Sequence, residues 1–207
     1  MILHIVRHGE TVWHHENRYA GISDIKLTEL GLEQANKLVT WATSAHLDAI
    51  VTSDLSRAII TAAPSAEACN LRPIVDARFR EVNFGSGEGM TKSEMQSEFP
   101  EEYSAFAEAP AEVALPNGER GVDAVARALE AIKDIAESKK LKRVMVVAHS
   151  TLGRLLICAL TGIPMNNYRK VFPGVRNGAV TTLKIPRVSS ISELYGSASL
   201  LEFNRPT

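Results

Sequence analysis

Residues 2–11 read ILHIVRHGET and change abruptly from apolar to polar after Val6. The apolar half is short and rich in β-branched residues, which predicts a buried strand that runs into a polar loop. Arg7 brings a permanent forked cation, His8 a group that can be neutral and nucleophilic, and Gly9 a backbone that a ligand can approach closely. Together they suit a phosphoryl group. The alternative is an ordinary strand end with a solvated Arg-His pair.

Composition excludes several classes of function. The chain has 207 residues, of which 45% are hydrophobic, so we expect a single α/β domain over 1–207. A net charge of -1 gives no bulk attraction to nucleic acid or to an anionic membrane, so any anion site must be local. No apolar stretch approaches the ~18 residues of a membrane helix, and no leader segment is evident. We therefore expect a cytoplasmic protein without nucleic-acid or membrane partners.

Metal and disulfide chemistry are not expected. The two cysteines, Cys69 and Cys158, each lie in an apolar helical pattern and are interpreted as small buried hydrophobes. The six histidines lack ligand spacing with a matching Cys or Glu. We predict no metal and no cofactor.

Apolar periodicity predicts alternating strands and helices. Strands are expected at 2–6, 49–51, 73–75, 144–148, 178–185 and, at a sheet edge, 199–203; helices at 29–39, 55–68, 119–138 and 152–160. Thr28 is the expected N-cap of the first helix. This alternation predicts a three-layer α/β sandwich, with a mostly parallel sheet and helices on both faces.

Two stretches break the pattern. Residues 13–27 have little periodicity and form a loop that carries Gly21. Residues 86–118 are interrupted by glycines and prolines, which predicts a long excursion with short helices. We expect this excursion to cover the site as a lid and to select the substrate.

Four polar stretches follow strand-like segments, and in a parallel sheet such stretches meet at one edge, where ligands bind. They are Arg7 with His8, the segment from Ser53 to Arg57, Glu81 and His149. Each taken singly could be a solvated or structural side chain. Their convergence favours a functional site.

Six stretches in order resemble the histidine phosphatase superfamily, which contains cofactor-dependent phosphoglycerate mutase and fructose-2,6-bisphosphatase. They are VRHGET at 6–11, LTELGLEQA at 27–35, TSDLSRA at 52–58, FREVNFG at 79–85, EGMT at 88–91 and VAH at 147–149. The resemblance implies a nucleophilic His8, a phosphate pocket of Arg7, Arg57 and His149, and Glu81 as proton donor.

The chemistry of these residue types agrees with that assignment. A neutral His8 can attack phosphorus to give a phosphohistidine, while a backbone carbonyl fixes its tautomer. Arg7 and Arg57 can stabilise the phosphoryl oxygens without a metal, and a cationic His149 would add a third positive donor. Glu81 must be protonated to help the alcohol leave, and ionised to take a proton from water afterwards.

The chain departs from its relatives at several positions. His14 stands where many relatives have a phosphate-contacting Asn, and Ser150 where they commonly have Gly. We expect His14, Gly21 and Ser150 to contact the phosphate as well. Arg120 replaces a usual Ser and puts a cation near the expected mouth, which hints at a substrate with a second acidic group.

The segment VNFG at 82–85 replaces a tyrosine and basic residues of the mutases, which favours hydrolysis. We therefore predict a metal-independent phosphomonoesterase that hydrolyses a small phosphorylated metabolite through His8. The alternatives are a mutase and a catalytically weak regulatory protein that binds phosphate esters. The expected partner is a small-molecule phosphate ester, and a homodimer is left open.

Overall fold

The computed structural model describes residues 1–138 and 140–207, and within them six strands form one sheet. The strands are β1 (Ile2–Arg7), β2 (Ala49–Thr52), β3 (Ile74–Val75), β4 (Arg143–Ala148), β5 (Val180–Lys184) and β6 (Ser199–Arg205). Their order is β3-β2-β4-β1-β5-β6. The pairs β1–β4, β2–β4 and β2–β3 are parallel, whereas β5 runs antiparallel to β1 and β6. The predicted mostly parallel sheet is confirmed.

Helices cover both faces of the sheet. They are α1 (Glu29–Ser44), α2 (Ser56–Ala68), α3 (Lys92–Glu98), α4 (Pro100–Glu108), α5 (Gly121–Glu137), α6 (Ser150–Thr161) and α7 (Tyr168–Val171). Because side chains alternate along a strand, Val6 and Val147 pack with α1 and α2, whereas Ile5 and Val146 pack with α5 and α6. The predicted three-layer sandwich is confirmed. Among the described helices, none is long and apolar enough to cross a membrane.

Several element bounds differ from the predicted ones. Helix α1 extends to Ser44, five residues beyond the expected end, and α5 begins at Gly121 instead of 119. Helix α6 begins at Ser150 instead of 152. The residue before it, His149, has an extended backbone and is the N-cap. The irregular stretch contains the expected short helices, α3 and α4.

A close contact between two glycines fixes the loop after β1 against α1. A Cβ on Gly9 would lie 2.4 Å from the carbonyl oxygen of Gly31, and a Cβ on Gly31 would lie 2.2 Å from that of Glu10. Only glycine permits this approach at either position. The Thr28 hydroxyl accepts a hydrogen bond from the Gly31 amide, which confirms the predicted N-cap.

Candidate active site

The carboxyl ends of β1, β2 and β4 meet at one edge of the sheet, where a cavity of about 440 Å³ opens. Several predicted residues line it, namely Arg7, His8, His14, Glu81 and Ser150. Helices α6 and α7 supply another wall, through Thr151, Arg154, Tyr168 and Arg169. Lys92, which belongs to the stretch 86–118, also lines the cavity. That this stretch is a substrate-selecting lid stays a prediction.

His8 is held as a neutral, oriented imidazole. Its Nδ1 lies 2.7 Å from the carbonyl oxygen of Gly9, an acceptor, so Nδ1 carries the proton and Nε2 keeps a lone pair. Burial lowers the pKa of His8 well below its ordinary value, and the charges of Arg57 and Arg7 lower it further. The ring is therefore neutral near pH 7, with Nε2 available for attack.

Backbone carbonyls hold Arg7 and Arg57, and no carboxylate of the described residues pairs with either. Arg57 donates from Nη1 to the oxygen of Ser23 and from Nη2 to that of Gly21, each at 2.6 Å. Arg7 donates from Nη1 to the oxygen of Val175 at 2.5 Å. Burial is the main cause that lowers the pKa of Arg7 to about 10, so it is still a cation at neutral pH. Their charges stay available for an anion.

His149 lies beside the nucleophile, with its ring centroid 5.2 Å from that of His8. Burial is the first cause that lowers its pKa well below the ordinary value, and Arg57 is the second. The ring is therefore neutral in the free enzyme and adds no third positive charge there. Its Nε2 lies 2.9 Å from the Ser53 hydroxyl, which can donate to it and so leave the proton on Nδ1.

Three buried nitrogen atoms at this edge have no hydrogen-bond partner among the described residues. They are Nε of Arg7, Nε of Arg57 and Nδ1 of His149. Buried donors normally find an acceptor, because an unsatisfied one costs about 1–3 kcal/mol. Both guanidinium atoms, and the histidine atom in the tautomer just described, are donors. The set fits an anion such as a phosphoryl group and not a metal ion.

Glu81 accepts hydrogen bonds from three backbone amides. Its Oε1 accepts from Leu152 at 2.7 Å and from Val82 at 3.0 Å, and its Oε2 accepts from Thr151 at 2.8 Å. Two of these donors belong to the first turn of α6, so the carboxylate caps that helix. These bonds fix the position and orientation of the carboxylate at the edge of the cavity. Its role as proton donor stays a prediction.

His14 turns into the cavity and contacts Arg7. Its Nε2 lies 2.5 Å from Nη2 of Arg7, and its Nδ1 lies 2.8 Å from the Thr11 hydroxyl. A guanidinium cannot accept, so Nε2 of the neutral ring must be the acceptor. Burial is the first cause and Arg7 the second that lower the pKa of His14 to about 4. A phosphate contact by His14 stays a prediction.

Two residues lie elsewhere than expected. Gly21 does not line the cavity; its carbonyl lies behind Arg57 and orients that guanidinium. Arg120 is likewise absent from the cavity wall, because it forms a double hydrogen bond with Asp123 at 2.7 Å on the exposed start of α5. The expectation of a cation near the mouth at Arg120 is wrong.

Sequence reasoning missed residues that hold the reacting groups in place. The Thr61 hydroxyl accepts from the Gly9 amide at 2.9 Å, and Asn177 donates to the His8 carbonyl at 2.9 Å. Both act across the fold, and no local pattern marks them. Ser53, in contrast, could be found from the sequence, because it directly follows the last residue of β2.

Comparison with known proteins shows the family. The model of the histidine phosphatase superfamily, branch 1, matches residues 3–195. Phosphoserine phosphatase 1 of Hydrogenobacter thermophilus is 32% identical over 164 residues, which cover 79% of this chain and 78% of that protein. A relative from Erwinia tasmaniensis named probable phosphoglycerate mutase GpmB is 28% identical over 205 residues, 97% of this chain and 94% of that protein.

Solved structures agree with the sequence comparison. Mycobacterial glucosyl-3-phosphoglycerate phosphatase superimposes with a TM-score of 0.86 at 29% identity, over 100% of this chain and 99% of that one. The alpha-ribazole phosphatase of Shigella flexneri gives 0.85 at 27% identity, over 100% and 97%. The chain belongs to the histidine phosphatase superfamily, and the predicted enzyme class, a phosphoric monoester hydrolase, is confirmed.

Proposed function

We propose that this enzyme hydrolyses a small phosphorylated metabolite in the cytoplasm, without a metal, through a phosphohistidine on His8. One observation carries the proposal. A neutral imidazole whose Nε2 keeps its lone pair lies among three buried nitrogens, on Arg7, Arg57 and His149, that have no hydrogen-bond partner among the residues that the structure describes. An oriented nucleophile beside donors for an anion is the arrangement that phosphoryl transfer needs.

In the first step Nε2 of His8 attacks the phosphorus, and the bond from phosphorus to the ester oxygen breaks. The guanidinium groups of Arg7 and Arg57 stabilise the charge on the phosphoryl oxygens. Glu81 gives its proton to the departing alkoxide. This step requires a protonated Glu81, because an alkoxide without a proton is a poor leaving group.

In the second step water attacks the phosphohistidine, and the bond from phosphorus to Nε2 breaks. Glu81, now ionised, takes the proton of this water. Its three amide hydrogen bonds hold the carboxylate in position for this transfer. The products are the alcohol and inorganic phosphate, and His8 returns neutral with its proton still on Nδ1.

Trapping the intermediate tests the proposal. Brief incubation with phosphorus-labelled ester, followed by an alkaline quench, should leave an acid-labile label on His8, since phosphoramidates survive base. His8→Ala should take no label, whereas His15→Ala, which changes an exposed histidine outside the cavity, should label like the parent. A label on a serine or an aspartate would refute the mechanism. EDTA should leave turnover unchanged, because arginines supply the positive charge.

The same experiment separates the alternatives. A mutase would return the label to the product and release little inorganic phosphate. A regulatory protein that only binds phosphate esters would neither turn over nor take the label. Release of one phosphate for each ester consumed distinguishes the phosphatase from both.

A further inference from the structure

Besides Arg7, two arginines of the cavity wall have no acidic partner within the part of the chain that the structure describes. Arg154 on α6 and Arg169 on α7 both line the cavity, and neither contacts a carboxylate. By contrast, Arg18, which lines the same cavity, pairs with Glu16 at 2.7 Å and with Glu94 at 2.8 Å. Within residues 1–138 and 140–207, no carboxylate therefore pairs directly with the guanidinium groups on α6 and α7.

Both side chains are held in place by neutral groups. Arg154 donates to the carbonyls of Ser150 and Phe172, at 3.1 and 3.2 Å, and lies 4.8 Å from the ring centroid of Tyr168. Arg169 lies 5.3 Å from that same centroid, and its Nε donates to the Tyr168 hydroxyl at 2.9 Å. The two cations are thus gathered around one aromatic ring in fixed orientations.

A further aromatic contact supports Arg169 from the excursion. Its guanidinium lies 4.7 Å from the ring centroid of Phe106 in α4. Stacking on aromatic rings leaves the hydrogen-bonding edge of a guanidinium free for a planar acid. The side chain is therefore oriented by ring contacts and keeps donors for a ligand.

Gathering these charges costs free energy. Burial is the first cause that lowers the pKa of Arg154, and repulsion from Arg169 adds to that lowering, whereas Tyr168 and the Glu81 carboxylate offset part of it. Partly buried like charges without a directly paired carboxylate are unfavourable, and an anion that binds between them recovers that free energy. Such an arrangement is typical of a ligand site and not of a stabilising contact.

We propose that Arg154 and Arg169 bind a second acidic group of the substrate, so that the enzyme acts on phosphate esters whose alcohol part carries a carboxylate or another phosphate. The proposal rests on the proposed function at His8. The phosphoryl group that is transferred binds among Arg7, Arg57 and His149 at the strand ends. The second acid binds on the α6–α7 wall, and this fixes which part of the substrate faces His8.

Matched esters test the subsite. The carboxylate arm compares 3-phosphoglycerate with glycerol 3-phosphate, and the phosphate arm compares propane-1,3-diol bisphosphate with 3-hydroxypropyl phosphate. We expect kcat/KM to be about tenfold or more higher for the acidic member of at least one pair. Arg154→Met and Arg169→Met should each remove most of this preference, and Arg169→Lys should restore part of it.

Internal controls keep the result interpretable. Turnover of the ester without the second acid should survive in each variant, which shows that the variant is folded. Arg120→Met removes one positive charge outside the cavity and should leave the preference unchanged. Equal kcat/KM for both members of both pairs would overturn the subsite, as would a preference that persists in the Met variants. Failure to label His8 would instead refute the proposed function.

Discussion

The Nη2 atom of Arg7 lies 2.5 Å from Nε2 of His14, so the hydrogen bond between these two side chains depends on the protonation state of His14. The contact requires a neutral His14, because a protonated Nε2 would place two donors face to face. The lowered pKa of His14, about 4, keeps this contact intact at neutral pH.

His14→Asn should therefore keep most of the activity near pH 7 and change the acidic limb of kcat/KM. As pH falls through about 4, His14 of the free parent enzyme becomes charged and its contact with Arg7 is lost. Asparagine cannot titrate, so the ratio of parent to variant should fall there. The measurement is kcat/KM for one ester from pH 3.5 to 8. A ratio that is constant over this range would make His14 a bystander.

His4 gives a stability prediction away from the catalytic chemistry. It is buried, with Nδ1 3.0 Å from the Thr182 hydroxyl, and burial is the first cause that lowers its pKa to about 4. Between pH 6.5 and 4 the unfolded chain takes up a proton that the folded chain refuses, so stability falls as pH falls. By pH 4 the loss is roughly 2–3 kcal/mol, at about 1.4 kcal/mol for each pKa unit.

Denaturant unfolding at pH 7 and at pH 4.5 measures this effect. His4→Gln should be less stable than the parent at pH 7 but should lose less stability on acidification. His15→Gln, which changes an exposed histidine, should follow the parent at both values. An identical pH dependence for His4→Gln and the parent would show that His4 does not contribute to it.

How far the sequence predicts the site depends on whether a signal is local. An apolar run that ends in polar residues is a local signal, which can be read directly from the sequence. Parallel pairing of β1, β2 and β4 then brings the ends of these runs together. The positions of His8 and His149 at one edge could therefore be predicted. The neutral state of His149 could not, because it depends on burial and on Arg57, which are properties of the folded chain.

The placements of Gly21 and Arg120 differ from expectation for opposite reasons, one a long-range contact and the other a local one. Gly21 is fixed by Arg57, 36 residues away in sequence, and nothing near Gly21 indicates that its carbonyl faces a guanidinium. Arg120 has a partner three residues on, Asp123, and that i,i+3 pair was visible in the sequence. Its pairing with Asp123 was the signal that argued against a free cation at the mouth.

Glu81→Gln should separate acid catalysis from capping. Glutamine keeps one carbonyl acceptor but presents an NH₂ group to a backbone amide, so α6 loses part of its cap. We expect turnover of alkyl phosphates to fall about 10²- to 10³-fold more than that of p-nitrophenyl phosphate, whose leaving group needs no proton. Parallel assays of both esters on one preparation cancel any loss of folded protein. Equal losses would mean that Glu81 acts only through α6.

Glu88, at the start of the excursion, contacts the loop that holds Arg57. Its Oε1 accepts from the Ile22 amide and its Oε2 from the Ser23 amide, each at 2.8 Å, and the Ser23 hydroxyl also donates to Oε2. The carbonyls of this same loop hold Arg57. Glu88 therefore fixes the guanidinium of Arg57 without touching the cavity.

Glu88→Gln replaces one acceptor by a donor that faces a backbone amide, so the loop must move and Arg57 with it. We expect kcat/KM to fall about tenfold or more for every phosphate ester, and inhibition by inorganic phosphate to weaken in parallel. The uniform loss distinguishes this residue from the α6–α7 wall, where substitutions change substrate preference. Glu101→Gln, on the exposed face of α4, is the matched control and should behave as the parent. If Glu88→Gln binds inorganic phosphate as tightly as the parent, Arg57 is held by its own packing and the loop is not needed to place it.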